Sequence, residues 1–239
     1  MIKVKALGTD SSGNSYVINS GNQKIILDAG VSIKSLKKGI DFDLINTVGC
    51  LITHSHKDHS NSVQALLDSG IDCYMTKETA YNSKINHYRN HIISYGIYQI
   101  GEFEVHSFPV YHDCAGACGF YIKHPKGNIL YATDTFDLNM VDYDDIDYML
   151  VECNHSEDLL VNSVEKGIIT LDLSQRISET HLSLERLKIF LERINKENLK
   201  KIVLIHLSEN NSNSELFKKE ISKFGNTEVA ENGNIYCFD

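Results

Sequence analysis

The chain has 239 residues, of which 42% are hydrophobic and 23% charged, with a formal net charge of -9. That composition supports a substantial core, and no apolar run approaches the roughly 18–20 residues of a membrane span. The acidic balance counts against broad electrostatic grip on a polyanion, and six scattered cysteines without a disulfide framework predict a reduced, cytoplasmic protein.

The opening Met1-Ile-Lys-Val-Lys5 alternates like a strand and does not read as a signal sequence. Strands are predicted at Lys3–Leu7, Tyr16–Asn19 and Lys24–Asp28, with Ser20-Gly21-Asn22 turning between the last two. A short helix at Ser32–Lys38 leads to a buried strand, Cys50–Thr53. Asn61–Ser69 reads as a helix, Cys73–Met75 as a strand and Lys77–His87 as a helix. Ile97–Val110 alternates as a hairpin about Gly101, and Phe120–Lys123 with Ile129–Ala132 form another. Tyr148–Glu152 is a strand. Leu184, Leu187, Phe190, Leu191 and Ile194 recur at helical spacing behind Ser183, a fitting N-cap. Lys201–His206 is a buried strand, Ser214–Phe224 a helix, and Glu228–Asp239 a final hairpin about Asn232-Gly233. Only two prolines occur, no linker interrupts the pattern and no repeat is visible, so residues 1–239 are expected to form one domain. Mixed strands and helices, with hairpins at both ends, predict two sheets flanked by helices rather than one wound parallel sheet.

The segment Leu51-Ile-Thr-His-Ser-His-Lys-Asp-His-Ser60 is the most informative. His54, His56, Asp58 and His59 leave an apolar strand together, and imidazole with carboxylate is a donor set for divalent metals. In such a loop His54 and His56 can point to one side while Asp58 and His59 turn into the next helix, a spacing able to feed two adjacent ions. Further ligands should then stand at strand ends, where His112, Asp134 and His206 each follow an apolar run. The lone Cys114-x3-Cys118 lacks the second ligand pair of a structural zinc site.

In order and in strand context, these motifs resemble those of the metallo-β-lactamase superfamily. The resemblance implies an αββα four-layer sandwich, two mixed sheets flanked by helices, with a dinuclear site at its edge. It implies that His54, His56 and His112 hold one metal, that Asp58, His59 and His206 hold the other, and that Asp134 bridges them. Leu7-Gly-Thr-Asp-Ser-Ser-Gly-Asn-Ser15, Ile26-Leu-Asp-Ala-Gly30, Glu152-Cys-Asn-His155 and Thr180-His-Leu-Ser183 are further similar to the YycJ-type (WalJ-type) group, described as exonucleases and related to tRNase Z. That group usually has Gly and Asn where Thr180 and Leu184 stand here.

The implied chemistry is phosphodiester hydrolysis. Two cations ~3.5–4 Å apart lower the pKa of a water held between them and clamp the phosphate. Asp58 would accept the water's proton, and His181, oriented by Glu152 as in tRNase Z, would protonate the leaving group. Zinc or manganese suits the ligands and iron is also accommodated; no organic cofactor is expected. Asp28, at a strand end, would fix the tautomer of a metal-binding histidine. Ser12 and Asn14, in a polar turn able to approach a phosphate, and His155 are candidate substrate contacts. DNA or RNA is the expected substrate. The alternative is a small thioester, lactone or cyclic nucleotide, which the charge of -9 favours.

Overall fold

The computed structural model describes residues 1–239. The N-terminal half runs β1 (Ile2–Asp10), β2 (Gly13–Asn19), β3 (Lys24–Leu27), α1 (Ile33–Gly39), β4 (Thr47–Leu51), α2 (Lys57–Ser60), α3 (Val63–Asp68), β5 (Cys73–Thr76), α4 (Lys77–Asn82) and β6 (Asn90–Ile93). There follow β7 (Gly96–Ile100), β8 (Phe103–Pro109), β9 (Cys118–Lys123), β10 (Ile129–Ala132) and β11 (Tyr148–Glu152). The last part runs α5 (Glu157–Glu165), α6 (Leu171–Thr180), α7 (Leu184–Arg193), β12 (Lys201–Ile205), α8 (Ser214–Ile221), β13 (Thr227–Val229) and β14 (Ile235–Phe238).

The strands form two seven-stranded sheets, ordered β14-β1-β2-β3-β4-β5-β6 and β7-β8-β9-β10-β11-β12-β13. Read in that order, each sheet has three antiparallel pairings followed by three parallel ones. Side chains alternate across each strand, so an unbroken apolar run such as Ile202-Val-Leu-Ile205 serves two cores at once. Val203 and Ile205 join Ile25, Leu27, Phe103, Phe120 and Leu150 between the sheets. Ile202 and Leu204 instead meet Leu187, Phe190 and Leu191 of α7 and Phe217 of α8. On the other side Leu36 of α1, Leu66 of α3 and Ala80 of α4 cover Ile26, Cys50 and Met75. The layers are therefore helix, sheet, sheet, helix, as expected.

Ser183 caps α7, its Oγ accepting from the Arg186 N–H at 3.2 Å. The basic face of that helix is occupied internally. Arg186 lies 3.6 Å over the Phe136 ring, and Arg193 donates to the Leu138 and Val141 carbonyls.

The terminal hairpin is corrected. β13 extends the second sheet parallel to β12, whereas β14 crosses to pair antiparallel with β1 in the first. Gly233, at φ +88°, makes the turn, and its N–H donates to the Ala6 carbonyl while the Ala6 N–H donates to Asn234. Alternation identifies a strand but not its partner. The helix from Lys77 stops at Asn82, before Lys84 at φ +56°, and leads into β6, a largely exposed edge strand. Helices α5 and α6 are the further addition. Exposed Val161, Leu171 and Leu173 blur the apolar stripe by which sequence would have revealed them.

Candidate metal centre

The site sits where parallel strands of both sheets end. Asp28 follows β3, the 54–59 segment follows β4, Asp134 lies just beyond β10, Glu152 closes β11 and His206 follows β12. Three of these turn the chain through the left-handed region, Asp28 at φ 57°, Asp134 at φ 49° and His206 at φ 53°. Each such non-glycine residue costs of order 1–3 kcal/mol, and strain of this kind collects where a fold aims side chains at one point.

Four of the imidazoles are pinned through one nitrogen. His59 Nδ1 donates to Asp28 Oδ2 at 2.8 Å. The Thr53 hydroxyl gives its only proton to Asp28, so its oxygen accepts from His54 Nδ1 at 3.0 Å. His112 Nδ1 donates to the Thr180 carbonyl at 3.0 Å, and His206 Nδ1 lies 2.9 Å from Glu152 Oε1. The Nε2 lone pairs that remain converge. His54 Nε2 and His112 Nε2 stand 3.1 and 3.2 Å from His56 Nδ1, while His206 Nε2 is buried with no hydrogen-bond partner. Carboxylate or carbonyl partners on the far nitrogen are how metal-binding histidines are oriented.

Asp134 stands between two groups of side chains. Its Oδ2 is 3.1 Å from His59 Nε2 and 3.3 Å from His206 Nδ1, and its Oδ1 is 3.8 Å from His112 Nε2. Donor atoms of His54, His56 and His112 lie within 4.8 Å of one another, as do those of Asp58, His59 and His206. Burial and neighbouring imidazoles depress the pKa values of His54 and His112, leaving their rings neutral with lone pairs free. Burial opposes charge on Asp134, but His206 and His59 hold it well below the usual carboxylate range. Against burial, Asp134 and Asp28 push His59 the other way, well above its ordinary value. Imidazoles gathered round ionised carboxylates, two of them held neutral and one buried nitrogen unsatisfied, fit divalent cations.

Glu152 and His181 form a pair at the edge of this cluster. His181 Nδ1 lies 2.7 Å from Glu152 Oε1, and Glu152 Oε2 accepts from the Thr135 and Leu182 N–H groups. Burial disfavours the charge on His181, yet the Glu152 carboxylate outweighs it and raises the pKa to about 9. Burial would likewise raise Glu152, but His181 holds it down to about 2. A cleft of about 480 Å³ opens over these groups, lined among others by His56, Asp58, His112, Asp134, His181 and His206.

The proposed substrate contacts fare differently. Asn14 has no exposed surface; its Nδ2 lies 3.1 Å from His59 Nε2, so burial rules out the direct contact expected of it. Ser12 is exposed, but its N–H and hydroxyl both donate to Asp10, and Ser11 lines the cleft instead. His155 is also buried and its backbone bridges to Ser183, away from the cleft lining. Three polar residues of the region were missed. Asp113 follows His112 directly, a signal visible in sequence, and Lys57 lies inside the histidine motif. Arg176 sits on the unforeseen α6 and had no local signal.

Residues 8–146 match the metallo-beta-lactamase superfamily. The chain belongs to that superfamily. It is 33% identical to exodeoxyribonuclease WalJ of Streptococcus pneumoniae, over 90% of this chain and 84% of that protein. It is 25% identical to exodeoxyribonuclease YycJ of Bacillus anthracis, over 91% and 86% respectively. Among solved structures, the metallo-beta-lactamase fold protein YhfI of Bacillus subtilis superposes with a TM-score of 0.77 at 15% identity, covering 98% of each chain. The short form of human tRNase Z superposes with a TM-score of 0.65 at 16% identity, covering 99% of each. These two likenesses concern the fold.

Proposed function

We propose that this metallo-β-lactamase-superfamily chain is a dinuclear metal-dependent nuclease that hydrolyses phosphodiesters of DNA or RNA as an exonuclease. The observation that carries the reading is two imidazole clusters sharing one carboxylate, Asp134, with a carboxylate-charged histidine at their rim. The exodeoxyribonuclease relatives support nucleic acid as the substrate.

In this reading His54, His56 and His112 would hold one cation, Asp58, His59 and His206 the other, with Asp134 as a ligand available to both. Zinc or manganese suits the mixed nitrogen and oxygen donors, with iron also accommodated. Such a pair supplies a lowered water pKa and neutralisation of phosphate charge. Asp28 fixes His59 directly and His54 through Thr53. Asp58, a quarter exposed and kept ionised against burial by His59, accepts the proton of the attacking water. His181 keeps one proton on Nδ1 toward Glu152 and delivers the other from Nε2 to the leaving oxygen.

The test is cleavage of 5′- and 3′-end-labelled double- and single-stranded DNA and RNA with added manganese or zinc, beside Asp134→Ala. Progressive, metal-dependent shortening absent from the variant is the expected result. A second reading, a hydrolase of small esters, is favoured by the net charge of -9. Turnover of a thioester or cyclic nucleotide with intact oligonucleotides would replace the first reading with the second.

A further inference from the structure

Fourteen residues line the cleft, and only two of them, Lys57 and Arg176, are fixed cations. Neither is spent on the fold. The Lys57 side chain is exposed and forms no ion pair. Arg176 is 57% exposed and donates only through Nε, to Asp113 Oδ2 at 2.8 Å, so both terminal amino groups of its guanidinium are without a protein acceptor. Asp113 in turn leans over the imidazoles, 3.3 Å from His112 Nε2 and 3.6 Å from His56 Nε2. One stripe of α6 and the residue capping it, Leu173, Arg176, Ile177 and His181, face the cleft together.

We propose that Arg176 and Lys57 form a phosphate subsite at the mouth of the cleft, and that Asp113 holds Arg176 in place until a phosphate takes over its guanidinium. The inference rests on the nuclease reading and adds to it the residues that grip the strand beside the scissile bond. An ion pair as exposed as Arg176–Asp113 is weak. A phosphate oxyanion offers the free amino groups a two-point, charge-assisted contact that a single carboxylate oxygen on Nε does not. In a chain of net charge -9, fixed cations at the cleft mouth add to the bound metals in drawing a polyanion toward the site. The occupant is the oxyanion of either a backbone phosphodiester or a terminal phosphate.

The experiment measures binding of labelled single-stranded and duplex DNA by fluorescence anisotropy across a salt series. Calcium replaces manganese to hold cleavage back, and cleavage in manganese is followed in parallel. Arg176→Ala is expected to weaken binding about tenfold, the worth of one charge-assisted contact, and to lower the salt slope by about one. Arg176→Lys should recover most of the slope, and Asp113→Asn, by releasing the guanidinium, should tighten binding. If the loss disappears with 5′-hydroxyl ends, the occupant is a terminal phosphate; if it persists, the occupant is the backbone. Both results support the subsite. An Arg176→Ala protein with unchanged salt slope would overturn it, whether affinity is retained or falls together with the melting temperature. A wild-type protein that neither binds nor cuts any oligonucleotide would instead defeat the nuclease reading.

Discussion

A proton held against burial defines the chemistry of His181. Because its pKa of about 9 lies above the ordinary 6.5, the imidazolium persists through neutral pH, available to a leaving oxygen. Cleavage of unactivated phosphodiesters should therefore fall as pH rises through about 9, measured as a pH–rate profile. The same shift sets the sign for stability. The His181–Glu152 pair contributes fully below 6.5 and is lost as pH rises through about 9, so the melting temperature should decline across that window. His181→Ala should retain its metal and lose about 10²–10⁴-fold in rate on oligonucleotides, with a smaller loss on bis(p-nitrophenyl) phosphate, whose leaving group needs no acid. Equal losses on both would remove the acid role. The left-handed turn at Asp134 gives a separate expectation. In metal-free protein, Asp134→Gly should be more stable than Asp134→Ala by about 1 kcal/mol in denaturant melts, since both lose the carboxylate but only glycine relieves φ 49°. At this scale the sequence was most readable where a polar residue ends an apolar strand, as at His54, Asp134 and His206. It misplaced Asn14 as a substrate contact, because a turn rich in Ser and Gly looks the same whether its asparagine faces solvent or a buried imidazole. It was silent on Arg176, whose neighbours come from distant segments.

Elements bring those residues together through close backbone contact. After β3 the chain docks on α2, with the Ala29 N–H donating to the His59 carbonyl and the Ser62 N–H to the Ala29 carbonyl. A Cβ on Gly30 would fall 1.6 Å from the Asp58 carbonyl oxygen, which is backbone and cannot swing away. Gly30→Ala should destabilise by more than about 3 kcal/mol and lower metal content, read by thermal melts and metal analysis; a wild-type melt would show that this contact is not needed. Strands with clean alternation or continuous apolar runs were legible before the structure, as were helices with a stripe and a cap, such as α7 behind Ser183. The exposed edge strand β6 and the helices α5 and α6 were not, because exposed Ile92, Val161, Leu171 and Leu173 stand beside the few buried apolar residues and blur the face those would mark. The final strands were recognisable as strands, but their allotment to different sheets depends on contacts with Ala6 and β12 that no local pattern encodes.

Across the whole molecule, the two sheets repeat one order of pairings and bring the ends of their parallel halves to a shared edge. That edge gathers Asp28, Asp58, Asp134 and Glu152, whose repulsion is relieved by surrounding imidazoles and by hydroxyl and backbone N–H donors. Cations bound there bind the folded state alone, so chelation should lower the melting temperature and added metal should restore it in proportion to the logarithm of its concentration. A melt indifferent to chelator would argue that no cation occupies the site in solution. The crossing of β14 to β1 carries a consequence for how the chain is made. β1 leaves the ribosome before every other strand of the two sheets, yet the strand that covers its outer edge is encoded in residues 235–238. Until those codons are translated and the segment clears the exit tunnel, the first sheet carries a long unpaired edge of the kind that attracts other nascent chains. Vectorial synthesis can thus finish the second sheet through β13 before the first, and β1, made ahead of the other thirteen strands, is among the last to be sealed.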